Sequence, residues 1–139
     1  MFTSTQSPGF TLVELAVAMA IAVLLASTAL PALQAQLRQA RRADAVAALK
    51  RVQLAQERFH GHHGRYASQL DGLIGAASPR SDQGLYDIRL QALGGAAYHV
   101  TASVRADAAQ AGDSDCAAIS LVVNEGIAEH RPSRQCWGR

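Results

Sequence analysis

Charge is nearly missing from the first quarter of this 139-residue chain. The nine residues Met1 to Gly9 contain no Lys or Arg, and from Phe10 to Leu33 there is one charged residue, Glu14. A cleaved secretory signal needs a basic start and an apolar core of roughly 7–15 residues. The missing basic start and the longer run speak against one, leaving only a forced cut near Ala29 or Ala35. Cysteine is scarce as well. Cys116 and Cys136 are too few for a disulfide-rich scaffold but suit one structural bridge in an oxidising compartment, with two unrelated buried thiols as the alternative. Bridging them would close a loop of about 20 residues, worth roughly 3 kcal/mol in the chain-entropy model. No large excess of one charge exists either: a net +2 is too small to argue for nucleic acid by itself. The sequence has no nucleophile–base motif, phosphate loop or CxxC pair, and no internal repeat, so nothing in it points to catalysis or calls for a cofactor. At this length one modest domain fits and a multidomain enzyme does not.

The hydrophobicity that is present is concentrated. Of the 24 residues from Phe10 to Leu33, 19 are apolar, while the remainder after Leu33 carries 23 of the 24 charges. A mean hydropathy of +0.02 therefore averages a membrane-length segment with an ordinary polar domain, which excludes a purely cytosolic globule. Arg38, Arg41 and Arg42 follow the apolar run. As a plain anchor with positive charge inside, that cluster would place the C-terminal part in the cytoplasm, against the weak indication of the cysteines. Glu14 fits neither a signal nor a plain anchor. A carboxylate in an apolar span costs roughly 2.5–3.5 kcal/mol at the membrane centre and less near an end. It is either interfacial and solvated or paired with a positive charge on a neighbouring chain.

Beyond Leu33 the pattern turns amphipathic: Ala45, Leu49, Val52, Ala55 and Phe59 recur at helical spacing between polar residues. One long helix is expected from about Thr11 to about Phe59, ended by His60-Gly61-His62-His63-Gly64 with Gly61 as the cap. Strand-like alternation follows at Tyr86–Leu90, Tyr98–Arg105 and Ile119–Val123, and Asn124-Glu125-Gly126 turns into a fourth run from Ile127 to about His130. The expected class is α+β, with an antiparallel sheet of about four strands covered on one face by the helix. His60, His62 and His63 could ligate zinc but lack an obvious fourth ligand, and a solvated helix end is the stronger reading. Asp113 and Asp115 could hold calcium, but no glycine-centred loop or closing glutamate follows. Residues 34–139 carry a net +3. Arg131, Arg134 and Arg139 around Trp137, extended by Arg80, Arg89 and Arg105, could form a weak, salt-sensitive DNA-binding patch. Solvated loop charges, with Trp137 packed near the cysteines, are the favoured alternative.

Gly9-Phe10-Thr11-Leu12-Val13-Glu14 ahead of the apolar run resembles the class III signal of type IV pilins. The resemblance implies a leader of residues 1–9 cut after Gly9 by a prepilin peptidase, and an N-methylated Phe10. It implies a transmembrane and fibre-core half-helix at 10–33 and a globular domain at 34–139. It also implies an assembly role for Glu14 and a helix-kinking Pro31. The absence of Lys or Arg in the leader departs from the family pattern. Gln56-Glu57-Arg58-Phe59 before Tyr66, Tyr98-His99-Val100-Thr101-Ala102, and the final Cys136-Trp137 resemble minor pilins of the PilE kind. By that resemblance Cys116 and Cys136 bridge, whereas pseudopilins of type II secretion, a further reading, generally lack such a loop. The implied role is a type IV pilus subunit supporting assembly, motility, adhesion or DNA uptake, with a DNA-binding receptor displayed on the pilus as the rival. Implied partners are other pilin subunits, the prepilin peptidase, the inner-membrane assembly platform, membrane lipid before assembly, and DNA. The implied location is the inner membrane and then the extracellular pilus of a Gram-negative bacterium.

Overall fold

The computed structural model describes residues 9–74 and 79–138, so the leader before Gly9 and the candidate DNA contact Arg139 lie outside the described residues. The chain divides into two compact units, Met1–Gln36 and Leu37–Arg139. The long helix α1 runs from Leu12 to His63.

In the first unit α1 begins at a threonine cap. The Glu14 amide donates to Thr11 Oγ1 at 3.2 Å, satisfying one of the amides that a helix start leaves without a partner. Every residue from Gly9 to Leu37 is exposed, including Leu12 at 86%. This part of α1 is long and apolar enough to cross a membrane, with a mean hydropathy of 2.2 in its best window. Pro31 lies inside the helix, where it lacks the N–H that would bond the carbonyl four residues back. Ser27 and Thr28, just ahead of it, turn their hydroxyls onto the carbonyls of Leu24 and Leu25 at 2.7 and 3.0 Å. Such back-bonding weakens and bends helices.

The second unit holds the core. Ala45, Ala48, Leu49, Val52 and Gln56 are buried along one stripe of α1, at the three- and four-residue spacing that places side chains on one helix face. They cover an antiparallel meander of four strands in the order β1-β2-β3-β4: β1 (Tyr86–Ala92), β2 (Ala97–Val104), β3 (Ala118–Asn124) and β4 (Ile127–Arg131). The alternation read from the sequence is the alternation of faces. Ile88, Ala102 and Ile119 lie side by side in the register, as do Leu90, Val100 and Leu121, and all except the half-buried Leu90 are buried. Full burial of residues such as Leu49, Ile119 and Leu121 contributes about 1.5–3 kcal/mol each. Glu125 and Gly126, at φ 49° and 81°, make the tight β3–β4 turn whose two positive-φ positions match the strand twist.

The helix ends later than its apolar stripe implied. Gly61 is helical and α1 continues to His63. The cap is Gly64, at φ 68°, whose amide donates to the His60 carbonyl at 2.8 Å. Stacking of Phe59 on His63, one helical turn apart with ring centroids 4.0 Å apart, supports that extra turn.

Candidate functional site

At the N-terminus, Gly9 and Phe10 precede the helix in exposed chain, with Phe10 at 85% exposure. Glu14 follows in the first turn of α1, where its negative charge suits the positive end of the helix dipole. Sequence reasoning missed the contribution of Thr11. The signal was there, because Thr11-Leu12-Val13-Glu14 is the Ser/Thr-x-x-Glu pattern of a helix start.

Of Arg38, Arg41 and Arg42, which follow the apolar run, Arg42 alone is in an ion pair among the described residues. Arg42 is buried and forks onto Asp113, with Nε to Oδ2 and an Nη to Oδ1 both at 2.7 Å. Arg41 donates to the Ala109 carbonyl at 2.9 Å, and Gln110 Nε2 donates to the Arg38 carbonyl at 3.1 Å and to Asp113 at 2.6 Å. Residues 109–113 are thereby pinned onto α1. The Asp113 carboxyl is held below the ordinary range by the Arg42 hydrogen bonds, against the opposing effect of its own burial. Asp113 is thus occupied by a guanidinium and is unavailable as half of the calcium pair with Asp115.

At the other end of the globular unit, Gln56 is fully buried and treats Ala67 as a strand would. Its Nε2 donates to the Ala67 carbonyl at 2.9 Å, and its Oε1 accepts from the Ala67 amide at 2.8 Å. Tyr66 OH donates to Glu57 at 3.2 Å, and its amide reaches the Gly95 carbonyl at 3.0 Å. His60 stacks on Tyr66 and His63 on Phe59. Among the described residues no three His, Cys, Asp or Glu side chains gather as a metal site.

Cys116 and Cys136 form a disulfide, with Cα atoms 5.6 Å apart and both residues buried. The bridge ties the segment after β4 to the short turn, Ser114–Cys116, that leads into β3. Around it lie the residues of the candidate DNA patch, with Trp137 packed beside the bridge as the favoured alternative expected. Trp137 is buried at 6% exposure and its indole N–H donates to the Arg131 carbonyl at 2.9 Å, so its ring is not open as a platform for bases. It is packed edge-on against His130, at 4.4 Å between centroids. Arg131 is paired with Glu129 at 2.9 Å, Arg105 with Asp107 at 2.6 Å and Arg80 with Asp87 at 3.6 Å. Local carboxylates therefore offset three of the arginines expected to draw phosphate, while Arg134 and Arg89 are exposed and make no ion pair among the described residues.

Comparison with known families accords with this architecture. Residues 6–30 match the prokaryotic N-terminal methylation motif. Residues 31–120 match the family described as type IV minor pilin ComP, DNA uptake sequence receptor. No curated protein matches the chain. The family match spans well over half of the sequence, and the methylation motif lies on the apolar helix start that such a subunit requires. The chain belongs to the ComP family of type IV minor pilins, subunits anchored in the inner membrane by the apolar part of α1 before they enter the pilus.

Proposed function

We propose that prepilin peptidase cuts this minor pilin after Gly9, that Phe10 is then N-methylated, and that the assembled subunit presents its globular domain to capture DNA for uptake. One observation carries the reading: a methylation motif at 6–30 and a minor-pilin domain at 31–120 occur on one chain, whose apolar half-helix holds a single charge. The half-helix of residues 10–33 sits in lipid before assembly and in the fibre core afterwards. In both places the Glu14 carboxylate is stable only when compensated. The new amine of Phe10 on an adjacent subunit supplies that compensation and fixes the axial register. Pro31 and the back-bonded Ser27 and Thr28 give α1 a soft point within this half. The inner-membrane assembly platform and other pilin subunits are the protein partners. DNA capture follows the family's description as an uptake-sequence receptor and the excess of basic over acidic residues after Leu33.

Mass spectrometry of the mature protein tests the processing, with an N-methylated Phe10 expected; an intact Met1 or a cut near Ala35 overturns it. Glu14→Ala should insert in membranes normally but fail to enter pili, and normal entry overturns the register role. Titration of the full chain in detergent micelles with labelled duplex DNA at low salt tests the receptor reading, which absence of any shift in mobility overturns.

A further inference from the structure

We infer that Arg38 and Arg41 form a binding site for the phosphate of an anionic phospholipid headgroup, occupied while the subunit is held in the inner membrane. The inference follows from the membrane anchorage of the chain and is independent of the DNA-capture reading. The apolar run ends at Leu33, and Arg38 is the first charged residue after it. A helical residue advances about 1.5 Å, and the headgroup layer extends roughly 5–7.5 Å beyond the hydrocarbon. Five residues past the run, Arg38 falls at the level of that layer, and Arg41 can reach back to it with its long side chain. Both lie within α1, three positions apart and so on one helix face.

The fold supplies these two guanidiniums with no carboxylate of their own. Between Glu14 and Asp44 α1 has no acidic residue. Asp44 is buried and accepts the Gln83 amide at 3.1 Å. Asp113 is buried and forked by Arg42, so Arg38 acts on it only through space, as the exposed Asp115 acts on Arg42. Asp107 pairs with Arg105. Among the described residues neither Arg38 nor Arg41 forms an ion pair.

The segment lying against them brings no anion either. Ala108-Ala109-Gln110-Ala111-Gly112 is uncharged, and Ala109, Ala111 and Gly112 are exposed. It is fixed there by the Arg41 bond to the Ala109 carbonyl and the Gln110 bond to the Arg38 carbonyl. Arg41 commits a single N–H to that contact, leaving most of its donors, and those of Arg38, for phosphate oxygens. Both residues are half-buried, which reduces the side-chain freedom that a bound headgroup must remove. The phosphates of DNA would suit the same donors, but the position just past the apolar run favours lipid, whose phosphates already occupy that layer.

The experiment is native mass spectrometry of the full chain in detergent micelles containing equal amounts of phosphatidylglycerol and phosphatidylcholine. It compares wild type with Arg38→Gln/Arg41→Gln, with the charge-conserving Arg38→Lys/Arg41→Lys, and with Arg89→Gln/Arg134→Gln as a control, each checked for native fold by circular dichroism. One basic residue close to an anionic surface is worth about a fivefold preference, so two give about 25-fold. Wild type and the control should therefore retain phosphatidylglycerol over phosphatidylcholine by about that factor at low salt. The glutamine variant should lose the preference, and the lysine variant should keep most of it. Inorganic phosphate at millimolar concentration should leave retention unchanged, since it has no acyl chains to hold it in the layer; displacement of the lipid by it would mark a free-phosphate site and overturn the lipid assignment. Equal retention of both lipids by wild type, or a preference that survives Arg38→Gln/Arg41→Gln, overturns the site. If that variant keeps the lipid preference but loses affinity for duplex DNA, the pair belongs to DNA instead.

Discussion

The Arg42 guanidinium grips the Asp113 carboxylate through two hydrogen bonds of 2.7 Å, joining residues 71 positions apart. Both side chains are nearly removed from solvent, at 10% and 2% exposure. A buried pair of this kind adds little net stability over an apolar pair of the same shape, but losing one partner strands the other charge. Asp113→Ala should therefore destabilise the globular unit by about 3 kcal/mol, and the double change Arg42→Met/Asp113→Leu by much less. Denaturation of the full chain in detergent, followed by near-UV circular dichroism, measures both.

The same pair sets an acid limit. Because the folded Asp113 carboxyl titrates below its unfolded value, its contribution is complete at neutral pH. It is lost progressively as pH falls below about 3.9 towards the folded value. The gap in melting temperature between wild type and Asp113→Asn should accordingly be constant from pH 7 to 5 and shrink below pH 4. A gap that widens in acid would contradict the ion-pair account.

Gln56 offers a second test. Its two bonds to Ala67 are fully buried, so Gln56→Leu keeps the apolar stripe intact yet leaves an amide and a carbonyl unpaired. A loss of about 2–3 kcal/mol is expected despite the greater hydrophobicity of leucine, measured by the same denaturation. In the sequence Gln56 reads as a polar interruption of an apolar stripe, and nothing local indicates that its partner is a backbone eleven residues ahead.

The disulfide closes a separation of 20 residues and stands beside the single tryptophan of the chain. Cys136→Ser should cost about 3 kcal/mol. It should also release the segment that buries Trp137, shifting its fluorescence to longer wavelength. Reduction of wild type by dithiothreitol should reproduce both effects, and an unchanged emission would show that Trp137 stays packed without the bridge.

Much of this protein is legible in its linear order because the relevant physics is local. The apolar run and its lone Glu14 define the membrane-length helix, period-two alternation defines β1 to β4, and Asn124-Glu125-Gly126 defines the last turn. The end of α1 was less legible, since Gly61 and Gly64 both qualify as caps. Stacking of Phe59 on His63 carries the helix on to the second.

Charge is where sequence and fold part company. By itself the sequence determined the class, the half-helix with one carboxylate, and an excess of basic residues after Leu33. Only the tertiary structure decided which cations remain available. Pairing depends on which carboxylate the fold brings within 4 Å, and that can be Asp113 for Arg42 or Glu129 for Arg131. The fold buries Trp137 against its own chain and pairs Arg131 with Glu129, while Arg134 stays exposed. Arg89 and Arg134 are exposed and form no ion pair among the described residues, because the fold brings no carboxylate within 4 Å of them.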